Sequence, residues 1–342
     1  MRTIIDFRSD TVTRPTPGMR EAMLNADLGD DVYGEDPTVN ALQEKAADLF
    51  GMESALFCAS GTMTNQIAIN VHTRPGDEVI CHALAHIYIY EGGGIMANSG
   101  ASVRTVGNAD GTMSAPAVEA AINPDDPHSA KSRLVAIENT SNRGGGRCLP
   151  IDDLTAIAAV AREHGLAYHL DGARLFNALI ATGERARDYG GLFDSISICL
   201  SKGLGCPVGS LLLGERDFIR EALRVRKRFG GGWRQAGMLA AAGIYALDHH
   251  IERLAEDHGR AARLGRHLAQ LPYVANVRPV QTNIVVFELT DADRARLFLR
   301  ALRDAGVRAS ATGGAVVRMV THLDLSDADI EKTCEILSGL DV

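Results

Sequence analysis

Short apolar runs alternate with longer stretches in which apolar residues recur every three or four positions through the first 250 or so residues. This is the rhythm of βα units feeding a mostly parallel sheet. One helix is well marked: Asp36 caps it, Pro37 fits its first turn, Val39, Leu42, Ala46 and Leu49 form its buried stripe, and Gly51 ends it. Ala55-Leu56-Phe57-Cys58 then reads as a strand, and Ser60-Gly61-Thr62 opens a second helix that runs to about Val71. Further strands are predicted over 78–81, 103–106, 134–138, 167–171, 195–200 and 208–213, with a helix over 152–164 closed by Gly165. Seven strands with helices between them predict an α/β fold with one large, doubly wound layer.

After Trp233 the pattern changes to one long helix, 234–271, followed by strand, helix, strand and helix over 283–288, 291–305, 316–320 and 327–337. The expected division is a large domain over 1–250 and a small C-terminal α+β domain over 251–342, joined by the long helix. No internal repeat, low-complexity tract or proline-rich linker interrupts the chain.

Charge and composition narrow the function. Thirty-five Lys and Arg against 43 Asp and Glu leave a net charge of −8 over 342 residues, so the electrostatic footprint of a nucleic-acid binder is missing. The one basic cluster, Arg220 to Arg228, reads as a solvated helix face. No run approaches the ~18 apolar residues of a membrane span, and Met1-Arg2-Thr3-Ile4-Ile5-Asp6 lacks an apolar leader, which predicts a cytoplasmic protein without membrane association. Six scattered cysteines without a Cys-x-x-Cys pair read as small buried hydrophobes in a reducing compartment. His249-His250 and the His82/His86 pair lack ligand spacing, so no metal site is expected.

In an open parallel sheet, ligands bind beyond the carboxyl ends of the strands, so polar residues just after apolar runs are the candidates. Ser60-Gly61-Thr62 offers open N–H groups and a positive helix end suited to a phosphate, although by itself it reads as a plain helix cap. Tyr168-His169-Leu170-Asp171-Gly172-Ala173-Arg174 delivers an Asp to a strand tip with an Arg three residues on. Of the five lysines, only Lys202 emerges from an apolar strand, in Ile198-Cys199-Leu200-Ser201-Lys202-Gly203. Desolvation among apolar residues would lower its pKa and supply a free amine for attack on a carbonyl. A phosphate cradle, a strand-end Asp and a strand-end Lys are the three fixed points that pyridoxal phosphate requires: an anchor, a partner for the ring nitrogen, and an amine for its aldehyde. His82 or His86, lying between the phosphate turn and the Asp strand, could stack on the pyridine ring. A nicotinamide enzyme is disfavoured because no strand leads into Gly-x-Gly-x-x-Gly with an acidic residue ~20 positions on.

The chain resembles the L-threonine aldolases, pyridoxal-phosphate enzymes of the aspartate-aminotransferase fold type. The matching stretches are Asp6–Thr13, Gly29–Pro37, Ser60-Gly61-Thr62, Ala85-His86-Ile87, Glu138-Asn139-Thr140, Leu170–Arg174, Ser201–Gly205, Gly230–Gln235 and Val317–His322, in family order over nearly the whole chain. The resemblance implies that Lys202 carries the cofactor, Asp171 pairs with its ring nitrogen and His86 stacks on the ring. It implies that Gly61 and Thr62 bind the phosphate, with Arg234 reaching in from a neighbouring subunit. Ser9, Arg174 and Arg318 would hold the substrate carboxylate, Arg174 also facing the cofactor, and Tyr33 of a partner subunit would border the pocket. The expected assembly is a homodimer or homotetramer with shared sites. The expected reaction is reversible retro-aldol cleavage of threonine, allo-threonine and related β-hydroxy-α-amino acids to glycine and an aldehyde, the alternative being a β-eliminating lyase on the same fold. One departure stands out: where the family usually reads Glu-Asn-Thr-His-Asn, this chain has Glu138-Asn139-Thr140-Ser141-Asn142. Serine cannot accept a proton near neutral pH as imidazole does, so at this position, which the resemblance implies is near the substrate hydroxyl, more of the acid–base work would fall to His86 or a water held by it.

Overall fold

Alternating apolar runs make strands that hide both faces, and the computed structural model assembles seven of them into one sheet. It describes residues 4–108 and 110–340; Met1–Thr3, at the start of the stretch read above as lacking a leader, lie outside the described residues. In chain order the strands are β1 (Ile5–Asp6), β2 (Ser54–Cys58), β3 (Asp77–His82), β4 (Ser102–Val106), β5 (Lys131–Glu138), β6 (Ala167–Gly172), β7 (Ser195–Cys199), β8 (Ser210–Gly214), β9 (Val274–Val277), β10 (Ile284–Leu289), β11 (Val307–Arg308), β12 (Ser310–Gly313) and β13 (Val316–Val320).

The large sheet runs β2-β8-β7-β6-β5-β3-β4, parallel from β7 to β4, with β8 antiparallel to both of its neighbours. Register places Glu138 beside Asp171, and Asp171 beside Ser197, so three polar residues line up across the central strands. A smaller antiparallel sheet, β12-β13-β10-β9, sets Arg318 opposite Val286. The start of the chain joins this second layer: β1 pairs with β11, and Ile5 and Phe7 share a core with Phe287 and Phe298. No helix among the described residues is long and apolar enough to cross a membrane.

Local signals account for many of the helix ends. Asp36 accepts the N–H of Val39, Pro37 begins the helix Pro37–Phe50, and Gly51 ends it in the left-handed conformation. The buried stripe of that helix closes on Phe50 rather than Leu49, which is exposed, because a spacing of four from Ala46 keeps the 3.6-residue face in line. The single helix expected over 234–271 is instead two, Gly237–His249 and Leu254–Leu268. His250 turns inward at the break and bonds the Leu204 carbonyl through Nδ1 at 2.7 Å, a tertiary contact that ends the first helix. The basic cluster is not wholly solvated either: Arg226 is buried, paired with Asp31 at 2.6 Å and donating to the Phe57 carbonyl. All six cysteines are free; Cys148 and Cys334 are only partly buried.

Candidate active site

Lys202 follows β7 in the turn Leu200–Gly205, whose backbone is pinned from both sides. The Lys202 carbonyl accepts from Thr13 Oγ1 at 3.0 Å and from the Gly205 N–H at 2.9 Å, and Gly205 has a φ of +78°. The side chain enters a cleft of about 400 Å³ with Ser9, His86, Tyr90, Asn142, Arg143, Arg174 and Arg318. Its surroundings are therefore polar, not the apolar setting expected from its strand. The amine makes no hydrogen bond or close ion pair with another described residue.

Asp171, 3% exposed, ends β6 beside this cleft. Its Oδ2 accepts from Asn65 Nδ2 at 2.9 Å and its Oδ1 from the Ala173 N–H at 3.1 Å. Asn65 also donates to Glu91 Oε1 at 2.9 Å, while Gln66 donates to Glu91 Oε2 at 2.7 Å and His86 Nδ1 lies 2.9 Å from Glu91 Oε1. Ligand atoms of His86, Glu91 and Asp171 lie within 4.8 Å of one another. Amide and backbone donors already occupy their oxygens, so the cluster is a hydrogen-bonded lattice. Glu91 thereby fixes the imidazole with its Nδ1–H turned inward, leaving Nε2 as the working nitrogen. Burial opposes the charged form of His86, but the Glu91 hydrogen bond and the Asp171 and Glu91 charges outweigh it and raise its pKa.

Glu138 accepts the backbone N–H groups of His86 and Asn142, each at 2.8 Å, and so ties the histidine loop to the segment after β5. Burial and the neighbouring Asp171 charge push Glu138 up to about 7 against those two donors. Arg174 is buried and held at Nε and Nη2 by Asp10, at 2.7 and 2.6 Å. Burial penalises the Asp10 charge, yet the Arg174 guanidinium, with Lys202 and Asn283, brings its pKa down to about 2. Arg318 donates to Asn142 Oδ1 at 2.7 Å and to the Arg8 carbonyl at 3.2 Å, and its buried Nε has no partner.

The tertiary structure thus brings Ser9, His86, Arg174, Lys202 and Arg318 to one cleft, with Asp171 behind His86. Gly61 and Thr62 begin the helix Gly61–His72, where Ser60 caps Met63 and the first N–H groups remain open. Three candidates lie elsewhere in this chain. Tyr33, 74% exposed, sits on the short turn Asp31–Tyr33, and Arg234, 56% exposed at its side chain, pairs with Asp30 on the same surface. Ser141 is buried, with Oγ accepting the Gly144 N–H at 3.2 Å and packed against Gly111, so its hydroxyl points into its own loop and not into the cleft. Reading the sequence alone passed over Asp10, Asn65, Glu91 and Glu138. Asp10 adjoins Ser9, but its partner Arg174 lies 164 residues on; Glu91 is only five residues from His86, and its other partners, Asn65 and Gln66, lie 26 and 25 residues back.

Comparison with known proteins identifies the family of the chain. The profile of the beta-eliminating lyase family matches residues 6–292. The low specificity L-threonine aldolase of Escherichia coli strain K12 is 46% identical over 326 residues, 94% of this chain and 95% of that protein. Low-specificity L-threonine aldolase 1 of Arabidopsis thaliana is 43% identical over 338 residues, 96% of this chain and 94% of that protein. Among solved structures, a threonine aldolase of Leishmania major superposes with a TM-score of 0.85 at 24% identity, covering 97% of this chain and 98% of that one, which speaks to the fold.

Proposed function

The chain belongs to the low-specificity L-threonine aldolases of the beta-eliminating lyase family, and on that premise we propose how its own residues carry the reaction. It is a carbon–carbon lyase that uses pyridoxal phosphate to cleave threonine. The described residues fit that cofactor: an unpartnered lysine amine, a buried carboxylate at the end of β6 and open N–H groups at a helix start. When bound, the cofactor supplies an aldehyde that an amine can hold covalently and a protonated ring that draws electrons from Cα.

Lys202 is the amine that holds the cofactor, Asp171 keeps its ring nitrogen protonated, and the N–H groups of Gly61 and Thr62 receive its phosphate. Arg174 and Arg318 present planar guanidinium forks to the substrate α-carboxylate, with Ser9 beside them. Arg174 also faces the cofactor. Anchoring that group orients the Cα–Cβ bond to be broken. His86 Nε2 takes the β-hydroxyl proton, and Glu91 keeps the opposite nitrogen protonated. The products are glycine and an aldehyde, from threonine, allo-threonine and related β-hydroxy-α-amino acids, and the reaction runs in both directions. A second copy of the chain supplies Tyr33 and Arg234 to the site, and the assembly works in the cytoplasm. The exposure of both residues on one surface supports the shared site.

The observation that carries the mechanism is the convergence of a free lysine amine, His86 and two arginines on one cleft. Lys202→Ala should abolish glycine formation from threonine while the folded protein remains. Turnover at the parent rate would remove Lys202 from the mechanism. β-Elimination would instead release ammonia and an oxo acid, so measuring glycine and acetaldehyde separates the two reactions.

A further inference from the structure

Beside the reaction cleft lies a smaller cavity of about 180 Å³, walled by Leu84, Asn142, Arg143, Arg278, Val286, Thr312, Val316 and Arg318. It shares Asn142, Arg143, Thr312 and Arg318 with the cleft, so the two adjoin. Three arginines and no carboxylate line it, in a chain whose net charge is −8. Many arginines of this protein pair with an acid; Arg143, Arg278 and Arg318 are among the described arginines that do not. Neutral acceptors hold them in place. Arg143 donates to the Thr312 carbonyl at 3.2 Å and lies 6.0 Å over the Tyr90 ring. Arg278 donates to the Arg143 carbonyl at 3.1 Å, and Arg318 leaves a buried Nε unpartnered. Asp110, in a neighbouring hollow that Arg278 also borders, is paired with Arg147.

Half-buried guanidinium groups with fixed geometry and no counter-charge make an anion site whose desolvation cost is met before the ligand arrives. The loop that carries Arg143 is also built for close approach. Gly145 and Gly146 have φ values of +90° and +75°, and a side chain at Gly146 would strike Thr282. Leu84, Val286 and Val316 supply apolar wall for a short carbon chain. Burial, with the charges of Arg174 and Arg143, lowers the pKa of Arg318 against the opposing charge of Asp10.

Resting on the aldolase reading, we infer that this side cavity is a carboxylate subsite for the substrate's β-substituent. The favoured substrates are then β-hydroxy-α-amino acids with a second carboxylate beyond Cβ. Arg174 and Arg318 hold the α-carboxylate, and Arg143 and Arg278 hold the distal one. The hydroxyl proton leaves to the base, the Cα–Cβ bond breaks, the β-carbon departs as the aldehyde of an oxo acid, and a proton returns to Cα to complete glycine. No oxidant or reductant is consumed.

The test compares glycine formation by the holoenzyme from threonine, 3-hydroxyaspartate and 3-hydroxyglutamate. With the subsite, kcat/KM for one of the two acids exceeds that for threonine by about tenfold or more, the scale of one charge-assisted contact. Arg143→Met and Arg278→Met each lower that ratio, and malate inhibits threonine cleavage more strongly than 3-hydroxybutyrate does. A ratio at or below one in the parent enzyme, or a ratio unmoved in both variants, overturns the subsite and leaves the aldolase reading standing. Glycine from none of the three substrates would overturn that reading and the subsite together.

Discussion

At the level of single residues, the site depends on side chains that touch no substrate. Asp10 and Arg174 form a buried pair 164 positions apart in sequence. Asp10→Asn leaves the guanidinium without its counter-charge, and the expected loss is about 3–5 kcal/mol of stability, with a raised KM for threonine. Urea unfolding and steady-state kinetics on the same preparation measure both. Glu91 acts on His86 in a different way, because its charge raises the histidine pKa. In Glu91→Gln that pKa falls, the basic form of His86 persists to lower pH, and the acid limb of the kcat/KM profile moves down in pH. Loss of the fixed tautomer should lower kcat about ten- to hundredfold with little change in KM. An unmoved acid limb would show that His86 does not titrate in the rate. Lys202, Asp171 and His86 could be picked out from the sequence because each sits where a strand or apolar stretch ends, a local pattern. Asp10, Asn65 and Glu91 could not, because their roles come from partners brought together only by folding. Ser141 shows the reverse limit: motif position put it near the substrate hydroxyl, while its bond to Gly144 turns it into the loop.

At the level of elements, caps and turns account for some boundaries and tertiary contacts for others. Asp36, Gly51 and Ser60 set helix ends by satisfying or releasing backbone groups within a few residues, which a sequence displays openly. The break between Gly237–His249 and Leu254–Leu268 has no proline or glycine to announce it. It arises because His250 reaches the Leu204 carbonyl behind the lysine turn. His250→Ala leaves that buried carbonyl unpaired, with an expected cost of about 1–3 kcal/mol. The turn that carries Lys202 should loosen as well, so denaturant midpoint and kcat should fall together; a lower midpoint with an unchanged kcat would separate the helix break from the lysine turn. The short strands β1, β9, β11 and β12 escaped sequence reading for a related reason. Two- to four-residue strands carry too little alternation to show, and β1 acquires its partner only from β11.

At the scale of the whole molecule, the α/β plan follows from pattern alone, while the site follows from how the layers meet. The proposed sharing of sites between subunits makes a direct prediction: neither Lys202→Ala nor Arg234→Ala is active alone, but mixing and reassembling the two restores activity. Random pairing of two such subunits rebuilds one intact site in half of the dimers, about a quarter of the parent rate. No recovery, measured on threonine after subunit exchange, would mean that each chain completes its own site. Local periodicity, caps and strand-end polar residues, all short-range properties, determined the seven-stranded sheet, the helix-opening turn at Ser60 and the places of Lys202 and Asp171. Only the tertiary structure decided that Asp10 holds Arg174, that Glu91 orients His86 and that three unpaired arginines share a cavity. Asp10 and Arg174 lie 164 residues apart, and Glu91, five residues from His86, is held in place by Asn65 and Gln66 from another helix, so register and packing, not sequence spacing, set these distances.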